Sequence, residues 1–285
     1  MTSMKGWSAL LCVLLVGGAV LAGCKSREPQ TAEEKRQAEA ALPQARVDPG
    51  EQKLKAVQTR LQAGMEALKA RDPERARRHI SRALELDSNS PEANNAMALL
   101  YRFEGDDKRE EEYFRKAIRS NGNYSQARNN YAALLYRKGR YDDAIDQLEK
   151  ASNDPNYDQR AVAFLNLGRC YAKVGELDKA NAALQRSLRL ESQRPETLLE
   201  LAEVLLRQQK YNDADTYLSM FQTRMRNTPR SLWIGIRLAA AQENADKLAS
   251  YEFQLAKLFK DSPEYAEWRT WKSGVTPAKD KRKSR

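Results

Sequence analysis

From about residue 57 onward, apolar and small residues recur in one fixed order. A small residue, Gly64, is followed by Ala98, Ala132, Gly168 and Ala202, at steps of 34, 34, 36 and 34. Three positions after each stand Ala67, Tyr101, Leu135, Tyr171 and Leu205. Twelve after stand Ala76, Glu110, Ala144, Ala180 and Ala214, and sixteen after stand Ile80, Phe114, Leu148, Leu184 and Leu218. Nineteen after stand Ala83, Ala117, Ala151, Ser187 and Phe221. Each block is split by a breaker (Gly105, Gly139, Gly175), and Pro91, Pro155, Pro195 and Pro229 fall between blocks. The pattern predicts a run of two-helix hairpins. Small residues let the two helices of a hairpin approach closely, and large ones fill the space between hairpins. No hairpin can bury its face alone, so the stack is the stable unit.

This register resembles the tetratricopeptide repeat, whose period is 34. The best copies are Tyr131–Tyr136 with Gly139, Tyr141 and Ala144, and Leu167–Tyr171 with Gly175, Leu177 and Ala180. The expected fold class is all-α: a right-handed superhelical solenoid of about six such hairpins plus a C-terminal capping helix. The repeats fall near 57–90, 91–124, 125–160, 161–194, 195–229 and 230–263, within a domain of 51–271. The sixth copy is degenerate. Trp233, Ile236, Ala249, Phe253 and Ala256 match its places, but Arg237 stands where a small residue belongs, which predicts an altered helix crossing. Pro263 opens a last helix whose Tyr265, Trp268 and Trp271 read as a cap over the end of the stack.

The N-terminus follows another pattern. Residues 1–6 carry one base, Lys5, and Ala9–Ala22 is an unbroken apolar or glycine stretch of 14 residues. A bilayer-spanning helix needs about 20, so residues 1–23 read as a secretory signal. It ends Leu21-Ala22-Gly23-Cys24, which resembles a bacterial lipoprotein processing box. That resemblance implies cleavage before Cys24 and acylation of its thiol and its new amine. One chain gives marginal membrane binding and three would make it effectively permanent. Lys25 after the cysteine, by resemblance to Gram-negative sorting rules, favours the outer membrane with the protein facing the periplasm. Residues 24–50 are polar, with Pro29, Pro43 and Pro49, and read as a lipidated tether of about 30 Å r.m.s. span.

Composition narrows the chemistry. The 285 residues are 41% hydrophobic and 31% charged, too charged for a polytopic membrane protein. The net charge is +10, but residues 272–285 hold six bases and one acid and carry half of it, as a basic disordered tail. No basic stripe marks the body, so no nucleic-acid partner is expected. With Cys12 removed and Cys24 lipidated, Cys170 is left without a disulfide partner and reads as a buried small hydrophobe. There is one histidine, His79, and no phosphate loop, H-E-x-x-H, C-x-x-C or nucleophile elbow. No cofactor, metal or enzymatic activity is expected; the job of such a stack is binding, as a monomer.

The first helices of the hairpins line the inner face. In the first repeat this places Leu61, Met65 and Leu68 at i, i+4 and i+7, an apolar stripe that marks a partner groove, free of Ala63, Gly64 and Ala67, which pack inward. Its alternative is a stripe covered by the tether or the next helix. Asn95, Asn129, Asn130 and Asn166 follow on the inner face, with Leu99 beside them. Their amides could donate to and accept from an extended backbone, unless they simply face water. Arg169 and Lys173 add positive charge that would suit a carboxylate clamp.

The processing box, six repeats, the two-residue insertion in 152–157 and the stretch Ser231–Ala239 together resemble the type IV pilus biogenesis and stability lipoproteins, the PilW/PilF-type pilotins, over roughly residues 55–270. Residues 272–285 look like an addition to that pattern. The resemblance implies a protein that binds the outer-membrane secretin subunit of the pilus machinery and helps it localise and multimerise, supporting pilus biogenesis and twitching motility. The rival reading is a general periplasmic scaffold serving peptidoglycan synthesis or outer-membrane protein assembly.

Overall fold

The structure is a computed structural model that describes residues 31–32 and 48–274; the signal, Cys24, nearly all of the tether and residues 275–285 lie outside the described residues. Thirteen helices run from Pro49 to Lys272, with no strand among the described residues: α1 Pro49–Lys69, α2 Pro73–Leu86, α3 Pro91–Glu104, α4 Asp107–Ser120, α5 Ser125–Arg137, α6 Tyr141–Asn153, α7 Arg160–Val174, α8 Leu177–Leu190, α9 Pro195–Arg207, α10 Tyr211–Gln222, α11 Pro229–Ala241, α12 Ala245–Leu258 and α13 Pro263–Lys272. Helix α1 therefore takes in Pro49 and Gly50, at the end of the expected tether.

Local chemistry sets these boundaries. Asp72, Ser90, Asp106, Asn244 and Ser262 each cap a helix by accepting a backbone N–H with the side chain, and Thr228 and Ser231 form a reciprocal capping box. Proline opens α2, α3, α9, α11 and α13, where its missing N–H costs nothing. The turn inside every hairpin passes through one left-handed residue: Arg71, Gly105, Gly139, Gly175, Gln209 and Glu243.

Pairs α1/α2 to α11/α12 are antiparallel hairpins, a tetratricopeptide-type solenoid, and α13 packs on α11. Odd-numbered helices α1 to α11 also touch one another from repeat to repeat, and no pair of even-numbered helices makes comparable contact. The stack is therefore tighter on the odd side, which forms its inner wall. The repeating register is the core: Ala98, Ala132 and Ala202, Ile80, Phe114, Leu148, Leu184 and Leu218, and Ala83, Ala117, Ala151, Ser187 and Phe221 are all buried. At Gly64 and Gly168 the approach is closer still. A Cβ there would stand 2.7 Å from Ile80 and 2.5 Å from Leu184.

Two expectations for the C-terminal end change. The small residue of the sixth repeat is Gly235, where a Cβ would stand 2.8 Å from Tyr251, so Arg237 is not in the hairpin seam. Gly235 follows Ala202 by 33 residues, two fewer than Arg237 would require, and the inward set shifts with it. Leu248, Tyr251 and Leu255 pack into the last core cluster, while Ala249 and Phe253 face solvent. In the cap, Trp268 is buried and its Nε1 donates to Glu252 at 3.0 Å, and Tyr265 packs beside it. Trp271 is partly exposed and meets Trp233 edge-on at 5.9 Å. The insertion in 152–157 makes a turn in which Asp154 accepts from Ser125 Oγ at 2.6 Å and Tyr157 enters the core.

Candidate partner-binding wall

The inner wall changes character along the stack. At its first end Leu61, Met65 and Leu68 are half-buried rather than open. They rest on the cluster of Ala96, Met97, Leu100 and Tyr101 from α3, and Leu61 also meets Val57 and Ala93. Gly64 and Ala67 point inward as expected, but Ala63 is half-exposed. The apolar stripe is thus shared between the hairpin seam and the surface, because the same side chains that line the wall also close the gap between α1 and α3.

In the middle, the amides first answer one another. Asn130 Nδ2 donates to Asn95 Oδ1 at 3.0 Å, and Asn166 Nδ2 donates to Asn129 Oδ1 at 3.1 Å. These bonds step from α3 to α5 and from α5 to α7. Gln126 Nε2 reaches Asn130 Oδ1 at 3.3 Å, and Arg102 donates to the Asn130 carbonyl at 3.0 Å. Asn95 and Asn129 are buried, while Asn130 and Asn166 keep surface and further donor capacity. Leu99 is half-buried against the central core cluster.

The far stretch is ionic. Arg169 Nε donates to Glu200 at 2.7 Å, and Arg230 grips both oxygens of the same carboxylate at 2.8 and 2.7 Å. Arg169 therefore holds an internal carboxylate, which the reading of a clamp for a partner's carboxylate did not foresee. Glu200 is only 7% exposed. Burial alone would raise its pKa, but Arg230 and Arg169 outweigh that and hold it below the usual carboxylate value. Arg237, displaced from the seam, turns to the wall instead. It pairs with both oxygens of Glu203 and lies 5.1 Å over the Trp233 ring. Lys173 is exposed and forms no ion pair among the described residues. The signal for this network was present in the sequence as Glu200 and Glu203 one turn apart on α9, flanked one repeat away by Arg169 and Arg237.

Cys170 lies behind this wall, buried, and burial pushes its thiol up to about 12, the behaviour of a core residue. Among the described residues no group of three His, Cys, Asp or Glu could hold a metal, and no helix is long and apolar enough to cross a membrane.

Tetratricopeptide-repeat models match residues 61–125, 123–191 and 165–220. The type IV pilus assembly protein PilF of Pseudomonas aeruginosa is 34% identical over 212 residues, 74% of this chain and 84% of that protein. Its solved structure, at 33% identity, covers 77% of this chain and 99% of its own, with a TM-score of 0.71. PilW, described as a widely conserved type IV pilus biogenesis factor, matches at 30% identity and a TM-score of 0.68 over 75% of this chain and 98% of its own. The chain belongs to the PilF/PilW family of type IV pilus biogenesis factors.

Within this family frame, the present chain divides its wall into three chemically distinct stretches. An apolar stripe lies on the first repeat, an amide ladder on the second to fourth, and arginine–glutamate pairs on the fourth to sixth. The first is held by packing and the other two by hydrogen bonds and ion pairs, in each case between neighbouring odd-numbered helices, so the wall is fixed before any partner arrives.

Proposed function

We propose that this protein is an outer-membrane pilotin. It binds the type IV pilus secretin subunit and promotes its localisation and multimerisation, and so supports pilus biogenesis and twitching motility. The observation that carries this reading is the match to PilF, which takes in 77% of this chain and 99% of the PilF chain of known structure. The preformed inner wall supports it, since a groove with an apolar stripe, spare amides and fixed charges is suited to hold a polypeptide.

In this mechanism lipid on Cys24 tethers the carrier to the inner leaflet of the outer membrane. Leu61, Met65, Leu68 and Leu99 cover an apolar strip of the secretin. Asn95, Asn129, Asn130 and Asn166 hold extended backbone, directly or by presenting their neighbours, while Arg169 fixes the ionic end of the wall. The complex shields secretin surface until the ring buries it.

The test is secretin assembly in cells carrying Leu61, Met65 and Leu68 changed together to Ser, with Met65→Lys alone as a milder variant whose fold is checked by circular dichroism. Loss of secretin multimers with a folded protein is expected. Normal multimers in both folded variants would refute the groove. Cys24→Ser should keep secretin binding and mislocalise the complex. Recovery of murein synthases or barrel-assembly proteins instead of secretin from detergent-solubilised envelope would refute the pilotin reading.

A further inference from the structure

A pocket of about 360 Å³ opens on the wall between α7, α9, α11 and α13, at the far end of the stack from the apolar stripe. Its inner charges are already matched: Glu200 by Arg169 and Arg230, and Glu203 by Arg237. Four charged groups lining it are not. Lys173 on α7 and Arg207 on α9 stand on the wall side, and Glu264 and Glu267 on the cap helix stand on the other, with none in an ion pair among the described residues. Arg207 makes one bond, to the Ala172 carbonyl at 2.8 Å. Bases near helix C-termini and an acid in a first turn are ordinary, and that accounts for Lys173, Arg207 and Glu264 singly. It does not account for their convergence, with Glu267, on one concavity.

We propose that this pocket is a second docking subsite, taking a partner segment that carries one acidic and one basic side chain, the acid against Lys173 and Arg207 and the base against Glu264 and Glu267. The pocket size suits a few residues of chain rather than a helix. The fixed pairs beneath give a floor that needs no rearrangement, and Trp233 supplies its apolar part. Opposite unmatched charges on opposite sides fix the direction in which the segment runs, because the reversed segment would set like charges together. The subsite rests on the pilotin reading for its partner and deepens it: an apolar anchor at the first repeat and a polarity-sensing one at the last would hold a secretin segment along the whole wall in one orientation.

The experiment measures the affinity of the secretin's periplasmic region for the full-length acylated protein in detergent. Two double variants, Lys173→Glu with Arg207→Glu and Glu264→Lys with Glu267→Lys, are compared with the native sequence, and circular dichroism confirms folding. Each double reversal should weaken binding about tenfold or more at low salt, and the loss should shrink at high salt. Affinity that stays within about twofold for either pair, beside normal binding by the native sequence, overturns the subsite alone. A native protein that fails to bind secretin at all overturns the pilotin reading and the subsite together.

Discussion

Gly168 and Leu184 face each other so closely that a methyl group on Gly168 would stand 2.5 Å from Leu184 Cγ. Ala98, Ala132 and Ala202 hold the equivalent place and are accommodated, so the fourth hairpin is drawn tighter than its neighbours. Gly168→Ala should therefore destabilise the domain. Alanine gains up to about 1 kcal/mol of helix propensity, but a clash with a fully buried Leu184 costs about 1–3 kcal/mol. A net loss of about 1–2 kcal/mol in urea unfolding is expected. A stabilised variant would mean that α7 and α8 can part without cost.

Gln209 occupies the left-handed turn position that Gly105, Gly139 and Gly175 fill in three other hairpins, with φ of 61°. A side chain there costs roughly 1–2 kcal/mol, offset in part by the larger unfolded-state entropy of glycine. Gln209→Gly should raise stability by about 0.5–1 kcal/mol, read as a melting-temperature rise of about 1–4 °C. Gly175→Ala should move it the other way. A fall on Gln209→Gly would show that the Gln209 side chain contributes contacts that outweigh the strain.

Glu110 poses a sharper question, because it is fully buried at a register where other repeats carry alanine. Arg102 reaches it at 2.7 Å and Arg137 of the next repeat at 2.6 Å. Removing the bases and removing the acid should differ. Arg102→Ala with Arg137→Ala leaves a carboxylate in the core without a partner, at a cost of about 3–5 kcal/mol. Glu110→Ala leaves two arginines that already reach solvent and restores the small residue the seam accepts elsewhere, so its cost should be about 1 kcal/mol. Equal losses in chemical denaturation would contradict this asymmetry.

These cases mark how far the sequence could be read. The five-copy register placed the hairpins, the turn glycines and the buried faces, because helix periodicity and chain breakers are local properties. The sixth repeat is the exception: the repeat count puts Arg237 in the seam, two residues beyond Gly235, whose sixteen-residue spacing to Tyr251 marks the true close approach. On the wall, Leu61, Met65 and Asn95 could be placed on the right helix face but not in their surroundings. Whether an inner-face side chain is free or held depends on the neighbouring repeat some 34 residues away. Arg169 is the clearest instance, since its positive charge was legible and its capture by Glu200 was not.

Glu111 lends itself to a pH test. Its carboxylate accepts from Arg115 Nη2 at 2.9 Å, Lys138 Nζ at 2.8 Å, Arg140 Nη1 at 2.9 Å and Tyr131 Oη at 2.9 Å, tying the second repeat to the third. Burial would raise its pKa, but Lys138, Arg140 and Tyr131 outweigh that and bring it down from 4.5 to about 2. The folded protein therefore binds this proton later than the unfolded chain as pH falls. The stabilisation is complete above about 4.5 and drains away between 4.5 and 2. Glu111→Gln removes the titrating group, so the stability gap between native sequence and variant should be about 1–3 kcal/mol at pH 6. It should narrow steadily as pH is lowered through that window. Denaturant melts of both proteins at pH 6, 4 and 2.5 measure it, and a gap that stays constant across the three would show that the lysine and arginine contacts do not favour the ionised carboxylate.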